Sequence, residues 1–177
     1  MGLTAQEYVD KILSVLDIFK TQILSISPTS EVETRYITSE KADQEQWKGY
    51  LTVDGKVDMW LITIGRVTGE NQENSDAPMG TFNKFVSITI DYFADYHHGL
   101  DVTKDEDTGE EINTNTEHEF QKKFLAFDFF LEKNRNNCLL PNCQIISWTA
   151  PVGIKNFTTG ATHIIKFTIE LKFLDLR

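Results

Sequence analysis

The residues that most often build metal or nucleophilic sites are few here and poorly spaced. Cys138 and Cys143 are the two cysteines, and together they supply half of the four ligands that a structural zinc site needs. None of the four histidines stands at zinc-finger spacing from them. His97 and His98 are adjacent, and neighbouring strand residues face opposite sides, so this pair is poorly placed to share a metal ion. We interpret the cysteines as reduced structural residues, with a local disulfide as the alternative in an oxidising compartment.

The nearest approach to a cation-binding motif lies in an acidic stretch. Asp105, Asp107 and Gly109 have the spacing with which an EF-hand calcium loop begins. The sixth position is Glu110, where that loop needs glycine, and the twelfth is Thr116, where it needs glutamate. The stretch is therefore interpreted as a solvated loop or a charged interaction surface, and no metal site is predicted.

Signatures of nucleophilic or phosphate chemistry are also missing. No Gly-x-Ser-x-Gly elbow occurs in the chain. The glycine-bounded segment 65–69 lacks the Lys-Ser/Thr pair of a phosphate-binding loop. These residues therefore predict no particular reaction, and the order of the secondary-structure elements becomes the main source of information.

Composition limits the classes of protein that remain. The chain has 177 residues, 40% of them hydrophobic and 25% charged, which is typical of a single globular domain over residues 1–177. Its 17 basic and 27 acidic side chains leave a net charge of −10, which argues against a basic nucleic-acid-binding surface. No apolar run reaches the ~18–20 residues of a membrane span, and the first residues lack the pattern of a signal peptide.

Two helices are predicted. Thr4 and Glu7 form a capping box at the start of a helix over residues 4–25, which ends before Pro28. Thr116 and Glu119 form a second capping box before an aromatic stripe that continues to about residue 134. We assign that stripe to the following residues: Phe120, Phe124, Phe127 and Leu131, widened by Leu125, Phe129 and Phe130.

Strands fill most of the remaining chain. A polar edge strand is predicted at 31–38, and a hairpin at 47–53 and 56–67 around Asp54-Gly55. A breaker-rich loop at 68–83 leads to a strand at 84–96. Further strands are predicted at 144–150 and 163–174, joined by a connection at 151–162. The predicted class is α+β, an antiparallel sheet with a long hairpin, flanked by an N-terminal helix and a second helix before the C-terminal strands.

The segment 101–119 is the most biased part of the chain. It holds eight acidic side chains and one lysine, which is seven of the ten excess negative charges. Such a composition predicts a mobile loop inserted at about 100–115. Together with the predicted hairpin turn it provides the candidate interface or channel-lining residues, which are Asp101, Asp105, Glu106, Asp107, Glu110, Glu111, Asp54 and Gly55.

The order of elements resembles that of a known family. Its main features are the helix at 4–25, the strands beginning at Trp60 and Phe85, the helix at 117–134 and the alternating strand that begins at His163. This pattern resembles the tail terminator, or tail completion, proteins of long-tailed bacteriophages. The likeness covers most of the chain, while the acidic segment and the 68–83 loop would be additions to the family pattern.

The resemblance implies a structural virion protein that is not an enzyme and has no cofactor. Such proteins form six-fold rings that cap the tail tube, end its polymerisation and join the tail to the head. The implied partners are further copies of the chain, the tail tube protein and a head-completion or neck protein, with a sheath protein as another candidate. The implied location is the tail or neck of the virion, after assembly in the host cytoplasm. DNA would pass without specific binding, and no membrane is involved.

Two further hypotheses remain open. One is a neighbouring role in the particle, as another neck, connector or tail-tube-like subunit. The other belongs to a different class, a small α+β ligand-binding domain or enzyme with a pocket between sheet and helix. Its candidate polar residues are His163, Asp91, Arg66 and Glu170.

Overall fold

Two helices and eight strands make up the part of the chain that the structure describes. The structure, a computed structural model, describes residues 4–35, 58–71, 81–95, 100–104, 107–108, 111–135, 137–150, 152–157 and 160–176. The elements are, in chain order, α1 (Ala5–Ile26), β1 (Glu31–Arg35), β2 (Asp58–Asn71), β3 (Thr81–Asp95), β4 (Leu100–Lys104), β5 (Glu111–Asn115), α2 (Thr116–Arg135), β6 (Cys143–Thr149), β7 (Val152–Phe157) and β8 (Gly160–Leu176). The predicted α+β class is confirmed.

The larger sheet has the strand order β1-β2-β3-β8-β6. Its strands are antiparallel except β1, which runs parallel to β2. The strands β6 and β7 pair with successive parts of the same edge of β8, residues 168–173 and 160–165. They form one interrupted partner strand, and the sequence between them contains Pro151, which has no backbone N–H to donate to the ladder.

Three strand predictions need correction. Residues 100–104 and 111–115, predicted as a loop, form the β4–β5 hairpin, because Val, Ile and Thr within the acidic composition retain strand propensity. The predicted connection at 151–162 contains β7. The strands β2 and β3 run further into the predicted loop, to Asn71 and from Thr81. The predicted turn at Asp54-Gly55 lies outside the described residues.

The N-terminus of α1 confirms the predicted capping box. The Thr4 hydroxyl accepts a hydrogen bond from the Glu7 N–H at 3.2 Å, and the Glu7 carboxylate accepts one from the Thr4 N–H at 2.6 Å. The hydrogen bonds from the Thr4 backbone and side chain lower the pKa of Glu7. The helix ends at Ile26, two residues before Pro28, as the steric restriction on residues that precede proline predicts.

Both helices cover one face of the larger sheet, and an aromatic layer lies between them. Phe127 of α2 is fully buried, with ring centroids 5.0 Å from Phe167 of β8 and 5.7 Å from Trp60 of β2. Phe19 of α1 lies 6.2 Å from Phe127. Trp60 in turn stacks on Tyr92 at 4.3 Å. One side chain of α2 therefore contacts rings from the other helix and from two strands.

The outer face of α2 differs from the prediction. The sequence pattern predicts Leu125 and Phe129 to be part of the buried stripe, but they are 59% and 69% exposed. Each lies two residues from Phe127, and two helical steps of about 100° turn a side chain to the opposite side of the helix. Apolar residues occur on both sides of this helix, so the sequence pattern does not show which side is buried.

We expect Phe127→Ala to reduce the free energy of unfolding by about 3–5 kcal/mol, because it removes a buried ring and leaves a cavity. Phe129→Ala, two positions away and exposed, should change it by less than about 0.5 kcal/mol. Urea denaturation at low protein concentration measures both. Equal losses in the two variants would contradict the central position of Phe127.

Candidate functional site

A partly buried polar cluster joins α2 to the sheet. Lys123 Nζ lies 3.1 Å from Asp58 Oδ2 and 3.2 Å from Oδ1. Asp58 Oδ1 also accepts hydrogen bonds from the Tyr92 hydroxyl at 3.0 Å and the Ser30 hydroxyl at 2.7 Å. The Lys123 and Asp58 side chains are only 19% and 24% exposed. We call Ser30, Asp58, Tyr92 and Lys123 the polar cluster.

The polar cluster brings together three elements and the turn that precedes β1. Ser30 precedes β1, Asp58 is the first residue of β2, Tyr92 lies on β3, and Lys123 lies one turn before Phe127 in α2. The lysine and the carboxylate neutralise each other, and the hydroxyls occupy further positions on the carboxylate. Charge-assisted hydrogen bonds of this kind fix geometry, so the cluster suits the positioning of α2 better than proton transfer.

Sequence reasoning missed the polar cluster, although one signal was present. Lys123 interrupts the apolar stripe between Phe120 and Phe127, and a cation on a buried helix face normally requires a partner. The identity of that partner depends on how β2 and β3 are placed beneath α2. A single sequence does not contain that information.

A second feature is a hollow on the opposite face of the sheet. Its volume is about 520 Å³, within the range of small-molecule sites. A β-bulge between Ile64 and Val67 adjoins it. A Cβ on Gly65 would lie 3.2 Å from the Ser87 carbonyl oxygen, so glycine permits the close approach of β2 and β3 there. We call this site the outer hollow, and its lining residues are Arg66, Thr68, Gly69, Phe85, Ser87 and Glu170.

The outer hollow gathers two of the four polar residues predicted for a ligand site, Arg66 and Glu170. Asp91 lies further along β3, opposite Lys166 in the register. His163 is in register with Ala94 and Ile154, and its side chain lies outside the description. Arg66 and Glu170 lie on the face away from the helices, so the outer hollow is not the pocket between sheet and helix that the ligand-binding hypothesis requires.

Three of the predicted acidic residues, Asp101, Asp107 and Glu111, lie in the described part of the β4–β5 hairpin. Asp101 is in β4 opposite Thr114, and Glu111 is in β5 opposite Lys104. Asp107 is in the turn region between them. In the described part of the chain this hairpin pairs with no strand of the larger sheet. The remaining candidates, Asp105, Glu106, Glu110, Asp54 and Gly55, lie outside the described residues.

The cysteines are free thiols in different environments. Cys138 is exposed and Cys143 is buried. The Cys143 N–H donates to the Leu140 carbonyl at 3.0 Å, and its carbonyl accepts from the Leu139 N–H at 3.1 Å. Burial raises the pKa of Cys143 to about 12. Within the described ranges, no group of three or more His, Cys, Asp or Glu side chains is arranged to hold a metal ion.

Neither the models of known protein families nor the curated proteins include a match to this chain. Among the described helices, none combines the length and apolar character needed to cross a membrane.

We expect Lys123→Met to reduce the free energy of unfolding by about 1–3 kcal/mol, because Asp58 then keeps its charge without a cation. This range allows for the partial exposure of the pair. Lys20→Met, on the exposed side of α1, is the control and should have little effect. A double-mutant cycle with Asp58→Asn measures the coupling, and additive losses would contradict a direct interaction.

The two thiols should differ in reactivity. At pH 8 we expect iodoacetamide to label Cys138 quickly in the folded protein, since the thiolate is the reactive form and this site is exposed. Cys143 should stay unlabelled until the protein unfolds, because its pKa of about 12 leaves almost no thiolate. Mass spectrometry of labelled peptides, with a urea-unfolded sample as control, identifies the sites. Rapid labelling of native Cys143 would contradict its burial.

Proposed function

We propose that this chain is a structural subunit of the tail-terminator type, which assembles into a ring on the end of a bacteriophage tail tube. The observation that carries the proposal is the β4–β5 hairpin, which in the described part of the chain pairs with no strand of the larger sheet. A two-stranded hairpin alone is only marginally stable in water. A surface on another copy or on a partner protein would complete it.

The layered fold supports the same function. The helices and the aromatic layer occupy one face of the sheet, while the other face carries the outer hollow and exposed side chains such as Lys166 and Glu170. Such a subunit can offer separate surfaces to its neighbours in a ring and to the proteins above and below it. The proposed partners are the tail tube protein and a head-completion or neck protein, with a sheath protein as a further candidate.

The β4–β5 hairpin would take one of two positions in this assembly. Facing the channel, its negative charge would keep DNA from adhering to the wall as it passes. Facing outward, it would contact a neck or sheath protein. The ring would function in the tail or neck of the virion and would carry no catalytic activity or cofactor.

The outer hollow favours a second candidate function, the binding of a small ligand. Arg66 and Glu170 present opposite charges beside the Phe85 ring, a combination that fits a zwitterion with an apolar part. A monomeric protein that binds such compounds would support this alternative. Another phage neck, connector or tail-tube-like subunit would share the ring and is distinguished from a terminator by its partner.

The decisive measurement is the assembly state of the purified full chain. We expect light scattering to give the mass of a hexamer and negative-stain electron microscopy to show six-fold rings. Added to growing tail tubes, the protein should stop their elongation. A monomer at every concentration tested would overturn the proposal.

Neutralising the acidic segment at 101–119 tests its role. We expect the joint change of Asp105, Glu106, Asp107, Glu110 and Glu111 to their amides to impair ring formation or tail–head joining. Asp17→Asn, on the exposed face of α1, is the control and should leave both unchanged. Unchanged assembly and joining in the neutralised variant would show that the segment has neither role.

A further inference from the structure

The exposed side of α2 carries an apolar ridge with a charged end. Leu125 and Phe129 are four residues apart, so they lie on the same side of the helix, and they are 59% and 69% exposed. Glu132 and Lys133, also exposed, are three and four residues beyond Phe129 and therefore flank it. We call these four residues the α2 ridge. Two large apolar side chains exposed on one side of a helix form an apolar patch that a partner could cover.

The outer hollow has complementary properties. It combines an aromatic ring, Phe85, with the hydroxyls of Thr68 and Ser87. Its lining charges are one guanidinium and one carboxylate, Arg66 and Glu170, and the Lys172 ammonium lies 6.0 Å from the centroid of the Phe85 ring. Its volume of about 520 Å³ is enough for a small organic molecule and therefore for a phenylalanine side chain. Phe129 is flanked by one acidic and one basic residue, Glu132 and Lys133. The outer hollow is likewise lined by one basic and one acidic residue, Arg66 and Glu170.

The two surfaces lie on opposite sides of the molecule. Phe127 and Leu131 direct one side of α2 toward the sheet, so the α2 ridge faces away from it. Phe85, Ser87 and Glu170 alternate with buried residues of β3 and β8, so the outer hollow opens on the far face of the sheet. A contact between two different surfaces of opposite charge pattern is a head-to-tail contact, which closes into a ring when the rotation per subunit allows it.

We propose that the α2 ridge of one copy occupies the outer hollow of the next copy, with Phe129 packed against Phe85. Lys133 then lies beside Glu170, and Glu132 lies beside Arg66. This inference builds on the proposed ring, because it assigns the surfaces through which neighbouring subunits meet. The occupant is a second copy of the same chain, and the paired charges set its orientation.

Charge exchange across the contact is the test. Lys133→Glu and Glu170→Lys should each weaken association of the full chain by about tenfold or more, because each juxtaposes like charges. The double variant restores opposite charges and should return the association to within about threefold of the original. Phe129→Ala should weaken association by a similar factor through loss of the aromatic anchor. Sedimentation velocity across a concentration series measures all four.

The controls separate this inference from the proposed function. Lys20→Glu reverses an exposed charge on α1 and should leave association unchanged, and circular dichroism should show every variant folded. A wild-type chain that stays monomeric overturns the ring and this contact together. A wild-type ring that all the variants form equally well overturns this contact alone, as does a double variant no better than its two parents.

Discussion

The packing of Phe127 against rings from both neighbouring layers is the constraint on which the rest of the structure depends. The centroid of its ring lies between 5.0 and 6.2 Å from the centroids of rings on α1, β2 and β8. The sheet alone would leave one apolar face open to water, and each helix alone would leave an apolar stripe unburied. The shared aromatic layer buries the apolar face of the sheet and the apolar stripes of both helices together. Aromatic pairs also prefer particular ring geometries, which adds to the effect of burying apolar area.

The polar cluster adds a directional contact to that packing. Hydrophobic contact is not directional, so an aromatic layer permits small rotations of α2 about its axis. The contact between Lys123 and Asp58, one turn from Phe127, opposes such rotation. Together with the burial of Phe127 and Leu131, it keeps Leu125 and Phe129 on the outward side of the helix.

Local sequence patterns predicted the elements that carry a distinct capping or alternation signal. The Thr4–Glu7 capping box located the start of α1, and strict alternation located β8, where Ile165 and Phe167 are fully buried. The β4–β5 hairpin escaped prediction because its acidic composition is also typical of loops. The strand β7 escaped because glycine and threonine surround it.

The candidate sites were less predictable than the fold. Arg66 and Glu170 are more than 100 residues apart in the chain, and only the pairing of β2, β3 and β8 brings them to one hollow. The polar cluster likewise depends on tertiary placement. Within α2, the abundance of phenylalanine concealed which rings face inward, since either side of the helix could serve as the apolar side.

The hairpin and α2 are joined without a linker, because β5 ends at Asn115 and the helix begins at Thr116. A partner bound to the hairpin would therefore lie next to the first turn of a helix that the Lys123–Asp58 contact holds against the sheet. The anchored segment from Lys123 to Phe127 lies between the hairpin and the Phe129–Lys133 end of the helix. A rigid helix with a fixed N-terminal junction therefore sets the distance between these two exposed parts of the surface.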